Sequence, residues 1–163
     1  MRGESQWQRD GVVVGLVASV TVAVFYGTFD VLASRGIFFT VSLLGRALFQ
    51  GLRDPSVLQF PMAPDYTAVV LYSALHVVAS LAIGLIVVGL VGEAERSPGR
   101  ARLIVGAIIS GFVVTIAAMS VLTAPMRGLL PIWSIALANG LATLCAGGYL
   151  LTKRPGLWAR LMR

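Results

Sequence analysis

The residues whose types could do chemistry are few, and two stand out because they lie in apolar surroundings. His76 is the chain's single histidine, and it falls within the uncharged stretch Tyr66 to Val91, roughly 15 Å from the start of that stretch if it is helical. A titratable ring at that depth is not needed for insertion into a membrane, so it invites a functional reading. It could act as a proton relay, a haem or chlorophyll ligand, or a hydrogen-bond partner for a quinone. The structural alternative is a neutral imidazole that satisfies hydrogen bonds between helices. Asp30 lies about one turn from the far end of an earlier apolar run, with Tyr26 one turn before it on the same face. It could gate a proton or pair with Arg35, Arg46 or Arg127, or it could anchor the helix at the membrane edge by snorkelling. Counted from the same ends, Thr115 and Asn139 lie about 10 to 15 Å in, level with His76. The sequence therefore admits a polar cluster of Asp30, His76, Thr115 and Asn139 inside a helical bundle.

Other chemistry finds no support. There is no phosphate-cradling glycine loop and no metal-spaced group of His, Cys and carboxylates. No Ser or Cys has a credible base nearby, so the reading is that the chain is not an enzyme. The lone Cys145 sits in an apolar run and reads as a small packing residue, without a thiol partner for a disulfide or metal cluster. Two haem-ligating histidines are excluded by the count, and Met119 is mismatched in depth as a second ligand beside His76. No cofactor is indicated, and lipid is the expected bound species.

These residues must be positioned by membrane-spanning helices. The chain is 57% hydrophobic and 12% charged, against about 25% charged in an average soluble domain. A soluble fold could not hide that much apolar surface. The expected architecture is an all-α membrane protein, one domain over residues 1–163, with four transmembrane helices in a bundle near 11–32, 66–91, 103–122 and 131–151. The first run is too long for a signal-peptide core and has no convincing cleavage site, so it stays as the first span. Gly15, Ser19 and Gly27 supply small positions for helix approach, as do Gly106 with Ser110, Ala107 with Gly111, Ala136 with Gly140, and Thr143 with Gly147. Tyr66, Tyr72 and Trp133 mark interfaces, and Pro131 suits the first position of the fourth span.

Between the first two spans, the segment near 40–52 is apolar but too short to cross, and it reads as an interfacial or re-entrant helix with Thr40 as N-cap. Ile37, Val41, Leu44, Leu48 and Leu52 fall at helical spacing on one side. Leu44 and Leu48 would then enter acyl chains or a neighbouring subunit, while Arg46 reaches headgroups or a partner's carboxylate. The proline-rich stretch 53–65 reads as a surface connection.

The net charge of +6 does not point to nucleic acid, because the cations sit between and beyond the apolar runs. Arg2 and Arg9, then Arg96, Arg100 and Arg102, then Lys153, Arg154, Arg160 and Arg163 outweigh Arg35, Arg46, Arg53 and Arg127 on the other side. The positive-inside rule therefore puts both termini in the cytoplasm of a bacterium, with the chain in its cytoplasmic membrane.

DVLASRGIFFTVSLLGRALFQG in the first half, taken with LHVV in the second span, resembles a loose group of small uncharacterised bacterial four-helix membrane proteins. That group carries Thr-Pro where this chain has Thr40-Val41, and a small residue where it has Arg46. The resemblance implies topology only. With no soluble domain for chemistry and several surfaces on which to dock, the expected function is a non-catalytic accessory subunit of a larger energy-transducing complex, respiratory or photosynthetic, whose partners are other membrane subunits and the bilayer. The alternative is a small transporter or proton conductor that uses Asp30 and His76.

Overall fold

The computed structural model describes residues 2–51 and 61–154. Five α-helices follow in order: α1 (Arg2–Leu32), α2 (Phe39–Gly45), α3 (Tyr66–Arg96), α4 (Ala101–Leu122) and α5 (Ile132–Lys153). No strand occurs among the described residues. All but α2 are long and apolar enough to cross a membrane. The expected four spans with a shorter helix between the first and second are what the fold contains. Most of the proline-rich connection, Leu52 and the basic tail beyond Arg154 lie outside the described residues.

Helix α1 is the centre of the bundle, with α3 packed along one side and α5 along another. The closest approach is backbone against backbone. A Cβ at Gly15 would lie 2.6 Å from the Ser80 carbonyl oxygen, and one at Gly84 would strike the Gly11 carbonyl and come within 2.6 Å of the Gly15 nitrogen. Without a hydrophobic drive between helices in lipid, such small-residue crossings are how spans hold together. Below the crossing, Val14, Val88, Ala146 and Leu150 form a core shared by the three helices.

Helix α4 is different. Only Ala101 and Ile104 of it are buried, in a small cluster with Ala94 of α3. A Cβ at Gly106 or Gly111 would meet nothing within 4 Å, and the same is true of Gly140 and Gly147 on α5. These expected small-residue contacts are therefore not made inside the chain. Cys145, expected to pack internally, is exposed on α5.

The spans α1 and α3 each run 31 residues, about 46 Å, well past the hydrocarbon thickness of about 30 Å. The excess is the polar turns at the end where α1 begins and α5 finishes. Glu, Arg, Gln and Ala are good helix formers, so nothing in these turns stops the helix where the apolar run stops. Arg154, at the end of α5, ties them together: its guanidinium lies 2.6 Å from Glu95 of α3 and 3.7 Å from Asp10 of α1.

The short helix expected between the first two spans, as an interfacial or re-entrant element, is present and is packed into the chain on one side. It continues through a π-helical turn, Arg46–Gln50, and ends at Gly51, whose φ of 67° belongs to the left-handed region that glycine tolerates. Thr40, Ser42, Leu43, Leu44 and Ala47 are all buried. A Cβ at Gly45 would collide with the Ala68 carbonyl of α3, so α2 is wedged against the first turn of that span. The buried stripe is Phe39, Leu43 and Ala47, packed on Met126 of the turn between α4 and α5. Ile37 and Leu48, assigned to the apolar side from spacing, are exposed. Spacing gives a period but not the rotation of the helix about its axis; that is fixed by the Asp30 to Thr40 hydrogen bonds and the Gly45 to Ala68 contact. Thr40 is not the N-cap either, a position held by Phe38 without a side-chain cap. Pro131 is the N-cap residue of α5, one position before the expected N1.

Candidate functional site: the buried polar groups at the α2 end

Asp30 is completely buried. Its carboxylate receives the Thr40 N–H and the Thr40 hydroxyl, each at 2.7 Å. A backbone donor of the first turn of α2, which has no partner inside its own helix, is thus satisfied by a side chain from another helix. Asp30 does not snorkel. Arg35, one of its expected partners, is held elsewhere: it donates to the Leu129 carbonyl at 2.5 Å and stacks over the rings of Phe29 and Phe39. Tyr26 approaches Ser134 of α5 and packs beside Leu44, Leu130 and Ile135.

Asp65 organises a second cluster that spacing did not single out. It is the N-cap of α3, accepting the Ala68 N–H at 3.0 Å. Gln50 donates to it at 2.7 Å, the Arg46 Nε lies 3.8 Å away, and the Asp65 N–H donates to the Ser42 hydroxyl. Arg46 also donates to the Ala63 carbonyl at 2.9 Å. The sequence did carry a signal: an aspartate directly before an apolar run is a standard helix start. Leu44 is 3% exposed, inside the chain's own core, whereas Leu48 is 41% exposed. The proposed interface of Leu44, Arg46 and Leu48 therefore does not form one outward surface. Leu44 and Arg46 are used internally.

The Ala68 N–H, then the Gln50 amide and the Arg46 charge, hold the Asp65 carboxyl below its usual value of 3.8. A depressed folded-state value means that the unfolded chain binds the proton more readily, so this contribution to stability is complete above 3.8 and declines as pH falls below it. Thermal unfolding in detergent between pH 7 and pH 3 should show a drop at the acid end that is smaller in Asp65→Asn, since Asn keeps the cap without the titration.

His76 sits apart from both clusters. Its ring stacks on Tyr72 at a centroid distance of 6.2 Å and lies near the backbone of Ser19, while Nε2 is buried without a partner. Ser19 and Asp30 are 11 positions apart on α1, about 16 Å along the helix, which separates the histidine from the aspartate. Tyr72, expected at the interface, instead faces inward beside Leu44 and Met119. Thr115 donates to Gly111 and Asn139 to Ile135, each within its own helix. Asp30, His76, Thr115 and Asn139 thus make no common cluster: Thr115 rides on α4, the span least engaged with the others, and equal depth does not bring side chains together when the helices do not pack. Among the described residues no group of His, Cys, Asp and Glu could hold a metal ion. No protein-family model, no curated protein and no solved structure matches the chain.

Proposed function

We propose that the chain is a non-catalytic accessory subunit of a larger energy-transducing membrane complex, respiratory or photosynthetic, in a bacterial cytoplasmic membrane, as its resemblance to small four-helix membrane proteins would allow. The observation that carries this reading is the state of α4. A span in lipid is held to its neighbours by packing and interhelical hydrogen bonds, yet α4 buries only Ala101 and Ile104 against the rest of the chain. Its small residues Gly106 and Gly111 face no neighbour in the chain. Another subunit's transmembrane helix seated on this face would supply the packing that α4 lacks.

The polar residues support the same reading, because most are spent on internal work. Asp30 caps α2, Asp65 caps α3, and Arg154 ties α1, α3 and α5. A proton conductor would use Asp30 with His76, and the partnerless Nε2 of His76 is an observation in its favour. Extraction of native membranes in a mild detergent, followed by native electrophoresis, tests the proposal. The chain, 17.2 kDa, should run within a band that contains other membrane subunits in fixed ratio, whereas recovery alone and monodisperse would overturn it.

The proposal includes both termini on the cytoplasmic side, on the strength of the excess of Arg and Lys at that end. In a Cys145→Ala background, a membrane-impermeant thiol reagent should label Gln50→Cys in intact cells and Ser97→Cys only after permeabilisation. Labelling of position 97 in intact cells would reverse the orientation.

A further inference from the structure

At the end where α1 begins and α5 finishes, the polar turns of α1, α3 and α5 line a cleft of about 590 Å³. Arg9, Arg96, Lys153 and Arg154 line it, facing the two carboxylates Asp10 and Glu95. Both carboxylates are taken by Arg154. Arg9, Arg96 and Lys153 form no ion pair with any carboxylate among the described residues; Lys153 only rests near the Tyr149 ring, 5.9 Å from its centroid. With four cations against two carboxylates the hollow carries a net charge of +2, and Arg9, Arg96 and Lys153, all exposed, line it where a bound anion would ease their mutual repulsion.

The position narrows the ligand. The cleft lies just past the apolar lengths of the three helices, where a bilayer around those lengths would place its headgroups. Its floor includes Trp7, whose indole packs so closely on α3 that a Cβ at Gly89 would be 3.2 Å from the ring. Val12 and Leu151, a few residues deeper, are exposed and offer acyl chains an apolar surface to follow. We propose that this cleft binds the phosphate headgroup of an anionic phospholipid, with Arg9, Arg96 and Lys153 as its contacts and Arg154 as the fixed strut that keeps the cleft open. Basic pockets between spans attract such headgroups, each cation adding to the affinity.

Native mass spectrometry of the purified full chain, titrated separately with phosphatidylglycerol, phosphatidylcholine and sodium phosphate, tests this. Phosphatidylglycerol should be retained as a single bound lipid and phosphatidylcholine should not. The triple variant R9Q/R96Q/K153Q should lose affinity roughly a hundredfold, if each cation contributes as basic residues at anionic surfaces do. Lys153→Gln alone should lose part of it and Lys153→Arg should keep it, which preserves the test if the triple variant fails to fold. Equal retention of the two lipids, or unchanged binding in Lys153→Gln, would overturn the proposal. Displacement of phosphatidylglycerol by millimolar sodium phosphate would assign the cleft to a soluble phosphate ligand and overturn the lipid source.

Discussion

Asp30→Ala is expected to lower the unfolding free energy by about 2–6 kcal/mol, because it strands two buried donors of Thr40 at a cost of about 1–3 kcal/mol each. The carboxylate is fully buried and accepts both the N–H and the hydroxyl of Thr40 at 2.7 Å. Without it, the first turn of α2 loses its cap and the Phe39, Leu43 and Ala47 stripe loses its fixed rotation. Asp30→Asn should cost far less, about 1 kcal/mol, since the amide can accept from the N–H and donate to the hydroxyl. The pair separates two roles. If Asp30 serves structure, Asp30→Asn leaves both the fold and any activity of the complex nearly intact; if it carries protons, Asp30→Asn abolishes proton movement in a folded protein. Reversible unfolding by SDS titration in micelles, followed by circular dichroism, gives the stability, and a pH-sensitive dye in proteoliposomes gives the flux.

Gly84→Val should be of similar size, about 3 kcal/mol or more, and of a different kind. A Cβ at position 84 collides with the Gly11 carbonyl and lies 2.6 and 2.9 Å from the Gly15 nitrogen and Cα. These are backbone atoms, which cannot rotate away as a side chain would, so α1 and α3 must separate. Because α1 is also the surface on which α5 packs, the loss should spread through the bundle. Gly147→Ala is the control: a Cβ there meets nothing within 4 Å, and the replacement should be neutral or stabilise by up to about 1 kcal/mol through helix propensity. The same SDS titration measures both.

Much of the architecture was legible because lipid imposes it. A long uncharged run such as Tyr66 to Val91 has no alternative to a spanning helix, since every backbone polar group must be satisfied within it. The short helix was legible as an element but not in which of its sides is buried. Its residues read as amphipathic, and only the contacts of Thr40 with Asp30 and of Gly45 with Ala68 turn it inward. Those contacts depend on how α1 and α3 cross, which is set by Gly11, Gly15 and Gly84. One of these three, Gly15, was identified as an approach position from spacing; the small residues of α4 and α5 had equally good spacing and meet no neighbour. Small-residue patterns show where a helix can approach another, not which of them finds a partner in the same chain. The polar residues were misplaced for the same reason: His76 and Asn139 match in depth, but depth along separate helices says nothing about which faces meet.

The central claim is that α4 is completed by another subunit. A photo-crosslinking amino acid placed at position 110, between Gly106 and Gly111 on α4, and at position 24, where the α1 side chain is 62% exposed, would test it in native membranes. Irradiation should join position 110 to one distinct membrane polypeptide in high yield and leave position 24 joined to lipid. Crosslinks to lipid alone at both positions would contradict the account, and α4 would then be a peripheral span of a protein that works by itself.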